Sequence, residues 1–278
     1  MTVHFFKVDI LEETVEEVFR RLGWKSQLGR NDLVLVKPNF LKEPRVGVTT
    51  DLALIRAVVD QVRDKTSQVY VGETDSAGKD FDSFASRLNL GCPVVNLSRD
   101  KTIEVSGKYG VYRLPELALK AKILNLPVLK THVLTKVSLS VKNLFGLIQD
   151  KHKDIYHWKI DKVLFDLYQI FKPPMNLLDG IYAMDGNGPI HGRIRKTNLL
   201  AASSNALSLD AAVCQLLGLN PFKVEHLRRL LEVEKVSFEP VEKIELDLEF
   251  KIPDTRLPRA GSFVQSLLKT LWKRVFKG

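Results

Sequence analysis

Cysteine is nearly absent from this 278-residue chain. Cys92 and Cys214 stand far apart, with no metal-ligand spacing around either, so no disulfide framework, zinc site or intrinsic iron–sulfur cluster can be built from them. Long apolar runs are missing too, and no stretch approaches the length of a membrane span. The opening MTVHFFKVDILEETVEE lacks the basic region and apolar core of a secretory signal, so the expected compartment is reducing, most simply the cytoplasm. A Gly-x-Ser-x-Gly elbow, a Walker loop and a dinucleotide fingerprint are likewise absent. Acidic residues are missing from 256–278, where Arg256, Arg259, Lys269, Lys273, Arg274 and Lys277 supply six of the net nine positive charges. The remaining body is only mildly basic, with no recognition-helix pattern and no basic stripe interleaved with aromatics, which argues against a nucleic-acid partner.

What is present is an ordinary globular composition, 45% hydrophobic and 27% charged, with length enough for a large core. Strand and helix patterns alternate. FFKVDI, DLVLVKPNF, QVYVGETD, CPVVNL, MNLLDGIYAM and NLLAASSN read as strands. LEETVEEVFRRLGW, DLALIRAVVDQVRDK (capped by Thr50), FDSFASRLNL, IDKVLFDLYQIFK and LSLDAAVCQLLGL read as helices, and TIEVSGKYGVYRL as a hairpin. Such alternation predicts an α/β fold with a largely parallel sheet and helices on both faces. One domain over 1–255 is expected, with a subdomain boundary or lid near the lysine- and aromatic-rich insert at 149–160.

Residues 124–148, LNLPVLKTHVLTKVSLSVKNLFGLI, carry the strongest functional pattern. A buried strand ends in Lys130-Thr131-His132, whose first and last members project to one face. TKVSLSVKNLFG then has helical spacing, with Thr135 as N-cap, Gly146 as stop, and Ser138 and Lys142 on one face. A strand end feeding a helix is where open α/β sheets bind ligands, and Lys130, His132, Lys142 and Asn143 meet there. Each alone is a surface residue by default; together, where a buried strand feeds an apolar helix, they read as a site.

Other strand ends carry further candidates. Lys37 and Asn39 follow LVLV, and Glu73 and Asp75 follow VYVG with the two-residue spacing of paired carboxylates or oxygen ligands. The loop Asp185-Gly186-Asn187-Gly188-Pro189-Ile190-His191-Gly192, followed by Arg193, is either an anion nest or a tight turn. Asn187, Gly188 and Arg193 join the anion-binding set, and Glu73, Asp75, Asp185 and His157 form the candidate metal set. His132, His152 and His157 flank the central segment, whereas His4 and His226 read as structural. The tail SFVQSLLKTLWKRVFK has an aromatic-bearing apolar face opposite a cationic one, which fits an interfacial membrane helix or one docked on its own domain or a second subunit.

Four blocks, VKPNF (36–40), NLPVLKTH…SLSVKNLFG (125–146), DGIYAMDGNGPIHG (179–192) and SLDAAVCQLLGL (208–219), resemble the prokaryotic family called domain of unknown function 362, over most of residues 32–220. Many members of that family carry ferredoxin-type cysteine motifs, which implies redox work. With none here, electrons would come from a ferredoxin-like partner or not be needed. A more distant similarity is to lactate racemases, in which a lysine carries a nickel-pincer nucleotide. His132 and Lys142 stand in the matching register, Gly146 matches a glycine, and His157 is a candidate for a later histidine. Lys136, Leu139 and Ser140 replace that family's glycines and Phe145 its proline.

The expected function is proton transfer or redox chemistry on a small carboxylate or phosphate-like anion. Lys130, Lys142 and the glycine-rich loop would hold the anion, and His132 would serve as general acid or base. Lys142 would alternatively be a nucleophile or the anchor of a covalent cofactor, with Glu73 and Asp185 orienting these groups or binding a metal. The alternative is a non-catalytic accessory or cofactor-assembly protein, recruited to a membrane surface or partner by its tail.

Overall fold

The computed structural model describes residues 2–255 apart from 42, 243, 247 and 248, together with 258 and 261. Apart from residues 258 and 261, the amphipathic helix expected over 256–278 lies outside the described residues. Eleven strands are described: β1 (Val3–Lys7), β2 (Val34–Pro38), β3 (Val69–Glu73), β4 (Val94–Asn96), β5 (Thr102–Ser106), β6 (Val111–Pro115), β7 (Lys122–Leu126), β8 (Val128–His132), β9 (Lys136–Ser138), β10 (Met175–Asp185) and β11 (Arg193–Ser203). The helices are α1 (Leu11–Arg21), α2 (Leu52–Arg63), α3 (Asp82–Ala85), α4 (Glu116–Lys120), α5 (Ser140–Asn143), α6 (Ile160–Phe171), α7 (Ala206–Leu216) and α8 (Glu225–Leu231).

The main sheet runs β1-β11-β10-β7-β2-β3-β4, with β8 paired to β10 and β9 to β8. β10, β7, β2, β3 and β4 are mutually parallel. Counted in chain order along the row, these five stand 3-2-1-4-5 from β4 to β10, so the winding reverses between β2 and β7. The expectation of a largely parallel sheet needs correction, because β1, β9 and β11 all pair antiparallel and make the sheet mixed. For β9 and β11 the physical reason is loop length. Only residues 186–192 separate β10 from β11 and only 133–135 separate β8 from β9, too few for the crossover that a parallel pair requires. The predicted hairpin over 102–115 is present as β5–β6.

Side chains alternate across the strands. Val34, Val36, Val69, Val71, Leu124 and Leu126 pack in one core with α1, α2 and α3, while Leu35, Ile123 and Leu178 pack in the other with α5 to α8. α1 buries Val15, Val18 and Phe19 at helical spacing, with Glu12 and Glu13 in its first turn and Arg20 and Arg21 in its last, as the helix dipole favours. α2 buries Leu54, Ile55, Val58, Val59 and Val62, each contributing roughly 1.5–3 kcal/mol relative to exposure. Its N-cap is Asp51, which accepts from the N–H groups of Ala53 and Leu54. Thr50, the expected cap, is instead drawn inward: its hydroxyl donates to the Leu126 carbonyl and accepts from the Asn39 N–H.

The helix expected over 135–146 is mostly something else. Lys136 has φ 66°, a left-handed turn that sends Lys136–Ser138 back along β8 as β9. Only Ser140–Asn143 is α-helical, and Leu144–Leu147 continues as a 3-10 turn. Thr135 caps nothing helical, its hydroxyl donating to the Val137 carbonyl, and Ser138 shares no helix with Lys142. β7 and β8 form one extended run broken at Pro127, whose carbonyl accepts from the Asp179 N–H.

Candidate functional site

The carboxyl ends of β2, β3 and β8 and the short helix α5 meet where the winding reverses, and each delivers a buried polar residue there. β2 contributes Lys37 and leads to Asn39. β3 contributes Glu73, β8 contributes Lys130 and His132, and α5 contributes Lys142 and Asn143. A cavity of about 220 Å³ opens over them, with Glu73, Lys79, His132, Lys142, Lys153 and His157 among its walls. Lys130, His132, Lys142, Glu73, Asn39, Asn143 and His157 are thus brought together as the sequence predicts, and Lys37 lies directly beneath.

Lys37 and Glu73 are both buried and form an ion pair at 2.9 Å, with Lys37 also donating to the Pro38 carbonyl at 2.7 Å. Glu73 further accepts the N–H groups of Thr74 and Phe40. Burial alone would raise its carboxyl, but the charges of Lys37, Lys79 and Lys153 outweigh that and hold it below the usual carboxylate range. Gly146 makes the approach possible. A Cβ there would lie 2.7 Å from a Glu73 oxygen and 2.8 Å from the Lys37 amine, so this glycine clears space for the pair rather than ending a helix.

Four buried or cavity-facing lysines have lowered pKa values. Burial brings Lys130 down to about 7, helped by the charge of Lys142. Burial likewise brings Lys153 to about 7 and Lys142 to about 8, and it lowers Lys79 against the pull of Glu73. Lys130 donates to Asn39 at 2.8 Å and to the Val48 carbonyl at 2.7 Å. Lys79 donates to the Phe40 carbonyl, and Lys153 to the Thr74 hydroxyl and the Ile148 carbonyl. Among the described residues Lys142 has no hydrogen-bond acceptor; its ammonium stands 5.8 Å from the centre of the Phe145 ring, which stacks on His157.

Behind Lys130 the asparagines form a row. The amide of Asn39 donates to Asn143, Asn143 to Asn125, Asn125 to Asn176, and Asn176 to the Pro173 carbonyl. Every carboxamide therefore turns its oxygen toward Lys130, an orientation that favours positive charge there.

His132 is buried, and its Nδ1 accepts the Leu134 N–H at 3.1 Å. Desolvation, reinforced by Lys142, pushes its pKa well below the ordinary imidazole value. The ring is therefore neutral with its proton on Nε2, which makes it a hydrogen-bond donor at neutral pH.

Three residues escaped sequence reasoning. Lys79, in a turn, and Lys153, at the start of a 3-10 segment, look like ordinary lysines, and only the fold turns them inward. Asp210, in α7, accepts the N–H groups of Ser140 and Val141 at 2.8 Å each and so caps α5 from a distant segment. An acid inside the apolar run LSLDAAVC was the available clue. Burial raises its pKa to about 7 despite those two donors.

Other candidates lie elsewhere. Asp75 accepts the Phe81 N–H and the Asn96 amide, which folds the 75–81 turn instead of offering a ligand beside Glu73. Asp185 is saturated by Arg193 in a two-pronged ion pair, 3.0 and 2.6 Å, so neither faces the cavity. Asn187 and His191 are exposed, and His152 is outside the cavity wall. Gly188 is pressed so close to β8 that a Cβ would fall 2.1 Å from the Thr131 carbonyl. The glycine-rich loop is thus a packing turn, stitched down by Thr131 to Gly186 and Val133 to Gly188, and only Pro189 of it reaches the cavity. Among the described residues no group of three or more His, Cys, Asp or Glu is placed to hold a metal ion.

Comparison with known proteins places this geometry in a family. Residues 34–215 match the family model described as domain of unknown function (DUF362), and the chain belongs to that family. It is 31% identical over 206 residues to the thylakoid-associated protein sll1697 of Synechocystis sp. (strain PCC 6803), a match covering 68% of this chain and 64% of that protein. The chain therefore spans just under two thirds of that relative's length. No solved structure matches it.

Proposed function

We propose that this family member is an enzyme that binds a small carboxylate- or phosphate-like anion in the cavity and carries out proton-transfer or redox chemistry beside it. The observation that carries the reading is charge imbalance: Lys79, Lys142 and Lys153 line the cavity and Lys37 and Lys130 are buried beside it, against two carboxylates, Asp154 and a Glu73 already paired with Lys37. Desolvated ammonium groups are costly, and an anion among them recovers part of that cost. Lys79 and Lys153 would hold the anion, His132 would donate a hydrogen bond from Nε2, and Lys142 would be the reactive amine.

The racemase-like register would make Lys142 the anchor of a nickel-carrying nucleotide. Its free amine fits an attachment point, but a cavity of about 220 Å³ is below the roughly 300–1,000 Å³ usual for larger ligands. A nucleotide-sized group does not fit this cavity, and no step is assigned to one.

The test is calorimetric titration of the protein with oxalate and with inorganic phosphate. Binding should weaken about tenfold or more in Lys79→Met and Lys153→Met, the scale of one charge-assisted hydrogen bond. Absence of binding by either anion would remove the reading. Once a turnover assay exists, His132→Asn, which keeps an acceptor for the Leu134 N–H, should abolish turnover and leave folding intact.

A second reading is favoured by the thylakoid association in the relative's name and by the cationic tail: an accessory role at a membrane surface. Among the described residues no helix is long and apolar enough to cross a membrane. Co-sedimentation with anionic liposomes, for the full chain and for one lacking residues 260–278, tests it; equal or no binding removes it.

A further inference from the structure

We infer that the cavity captures a 2-oxo acid as a covalent imine on the Lys142 amine. This rests on the anion-binding reading above and names its substrate class. The lysines of the cluster are not equivalent. Lys37, Lys79, Lys130 and Lys153 each donate to at least one protein oxygen, and those bonds tie their amines down whatever their charge. Lys142 alone among them is held by no acceptor, so its nitrogen lone pair, once deprotonated, is open to a reaction partner.

The amine is nonetheless positioned. Asp210 caps the turn that carries it, Asn143 beside it is tied into the asparagine row, and the Phe145 ring lies under the ammonium with His157 stacked on it. Burial of the amine disfavours the ammonium form, against the weaker pull of the Phe145 ring face. With the amine at about 8, roughly a tenth of it is neutral at pH 7, against under a thousandth for an ordinary lysine.

The rest of the wall suits the other end of the molecule. An ammonium has three donors, and the Lys79 amine spends one on the Phe40 carbonyl, while Lys153 spends two, on Thr74 and Ile148. Their remaining N–H groups can take a carboxylate. The Nε2–H of His132 supplies a neutral donor for the carbonyl oxygen.

The chemistry balances without an oxidant. The neutral Lys142 nitrogen adds to the oxo carbon, a C–N bond forms, and the carbonyl oxygen takes up protons from the amine. That oxygen then leaves as water as C=N forms, so one amine and one carbonyl yield one imine and one water. Protonation of the imine nitrogen makes it an electron sink and acidifies the C–H bonds next to it, which is what proton transfer beside a carboxylate requires.

The experiment incubates the full chain with pyruvate or glyoxylate, adds sodium borohydride, and reads intact mass followed by peptide mapping. Oxalate, which binds as an anion but has no ketone or aldehyde carbon, is titrated in parallel. The expected result is one borohydride-dependent adduct on Lys142, suppressed by oxalate and absent in Lys142→Arg and Lys142→Met. Circular dichroism confirms that both variants are folded. Oxalate binding with no adduct, or adducts spread over surface lysines and unaffected by oxalate, overturns the imine and leaves the anion site standing. Failure of both oxalate binding and adduct formation overturns the two together.

Discussion

The Lys37 ammonium and the Glu73 carboxylate, from adjacent parallel strands, meet at 2.9 Å with neither side chain open to solvent by more than 5%. A buried pair of this kind is worth little beyond a hydrophobic replacement, yet breaking it is expensive because the survivor remains charged and dry. Lys37→Met should therefore destabilise the protein by about 3–5 kcal/mol. Lys37→Met combined with Glu73→Gln should recover most of that loss. Urea denaturation of the two variants decides; equal destabilisation would show that the pair is not the reason.

Asp210 makes a separate prediction, since it acts on the site from α7. Asp210→Ala removes the acceptor of two buried N–H groups and should cost about 1–3 kcal/mol. It should also loosen the turn carrying Lys142 and Asn143, lowering oxalate affinity in protein that is still folded. Asp210→Asn retains one carbonyl oxygen and should fall between the two. Unchanged affinity in folded Asp210→Ala would separate α7 from the site.

The dependence of stability on pH follows from groups shifted in opposite directions. Asp179 and Asp210 are raised by burial to about 7, so between pH 4 and 7 the folded chain holds more protons than the unfolded one and stability falls as pH rises. Lys130 and Lys153 are lowered to about 7 and Lys142 to about 8. Above those values the unfolded chain holds more protons, and stability rises again toward pH 10. These groups together predict a minimum in Tm near pH 7 for the ligand-free protein. Oxalate should fill that minimum and bind with proton uptake, its affinity falling as pH rises through 7 to 8. Calorimetry in buffers of different ionisation enthalpy reads the uptake, and a Tm maximum at pH 7 without ligand would contradict the assignment.

Much of the site was legible because strand ends are. Runs such as LVLV and VYVG announce where a buried strand stops, and the polar residues that follow, Lys37, Asn39, Glu73, Lys130 and His132, do converge. What failed depended on long-range partners. Apolar spacing over 135–146 suits a helix, but β8 offers a free edge and Lys136 turns the chain onto it. Asp185 and Arg193 look like functional charges in one dimension and neutralise each other in three. Lys79 and Lys153 carry no local mark at all, since what makes them site residues is the Thr74 and Phe40 oxygens that happen to lie beneath them.

The row of asparagines has one more consequence. Each carboxamide serves as donor to one neighbour and acceptor to the other, so turning a single amide over would set like ends face to face on both sides of it. Nor can the row reverse as a whole, because the Lys130 ammonium can only donate at one end and the Pro173 carbonyl can only accept at the other. Its polarity is therefore a single digital setting, spelled out by residues from four separate stretches of chain and written into the fold before any ligand arrives.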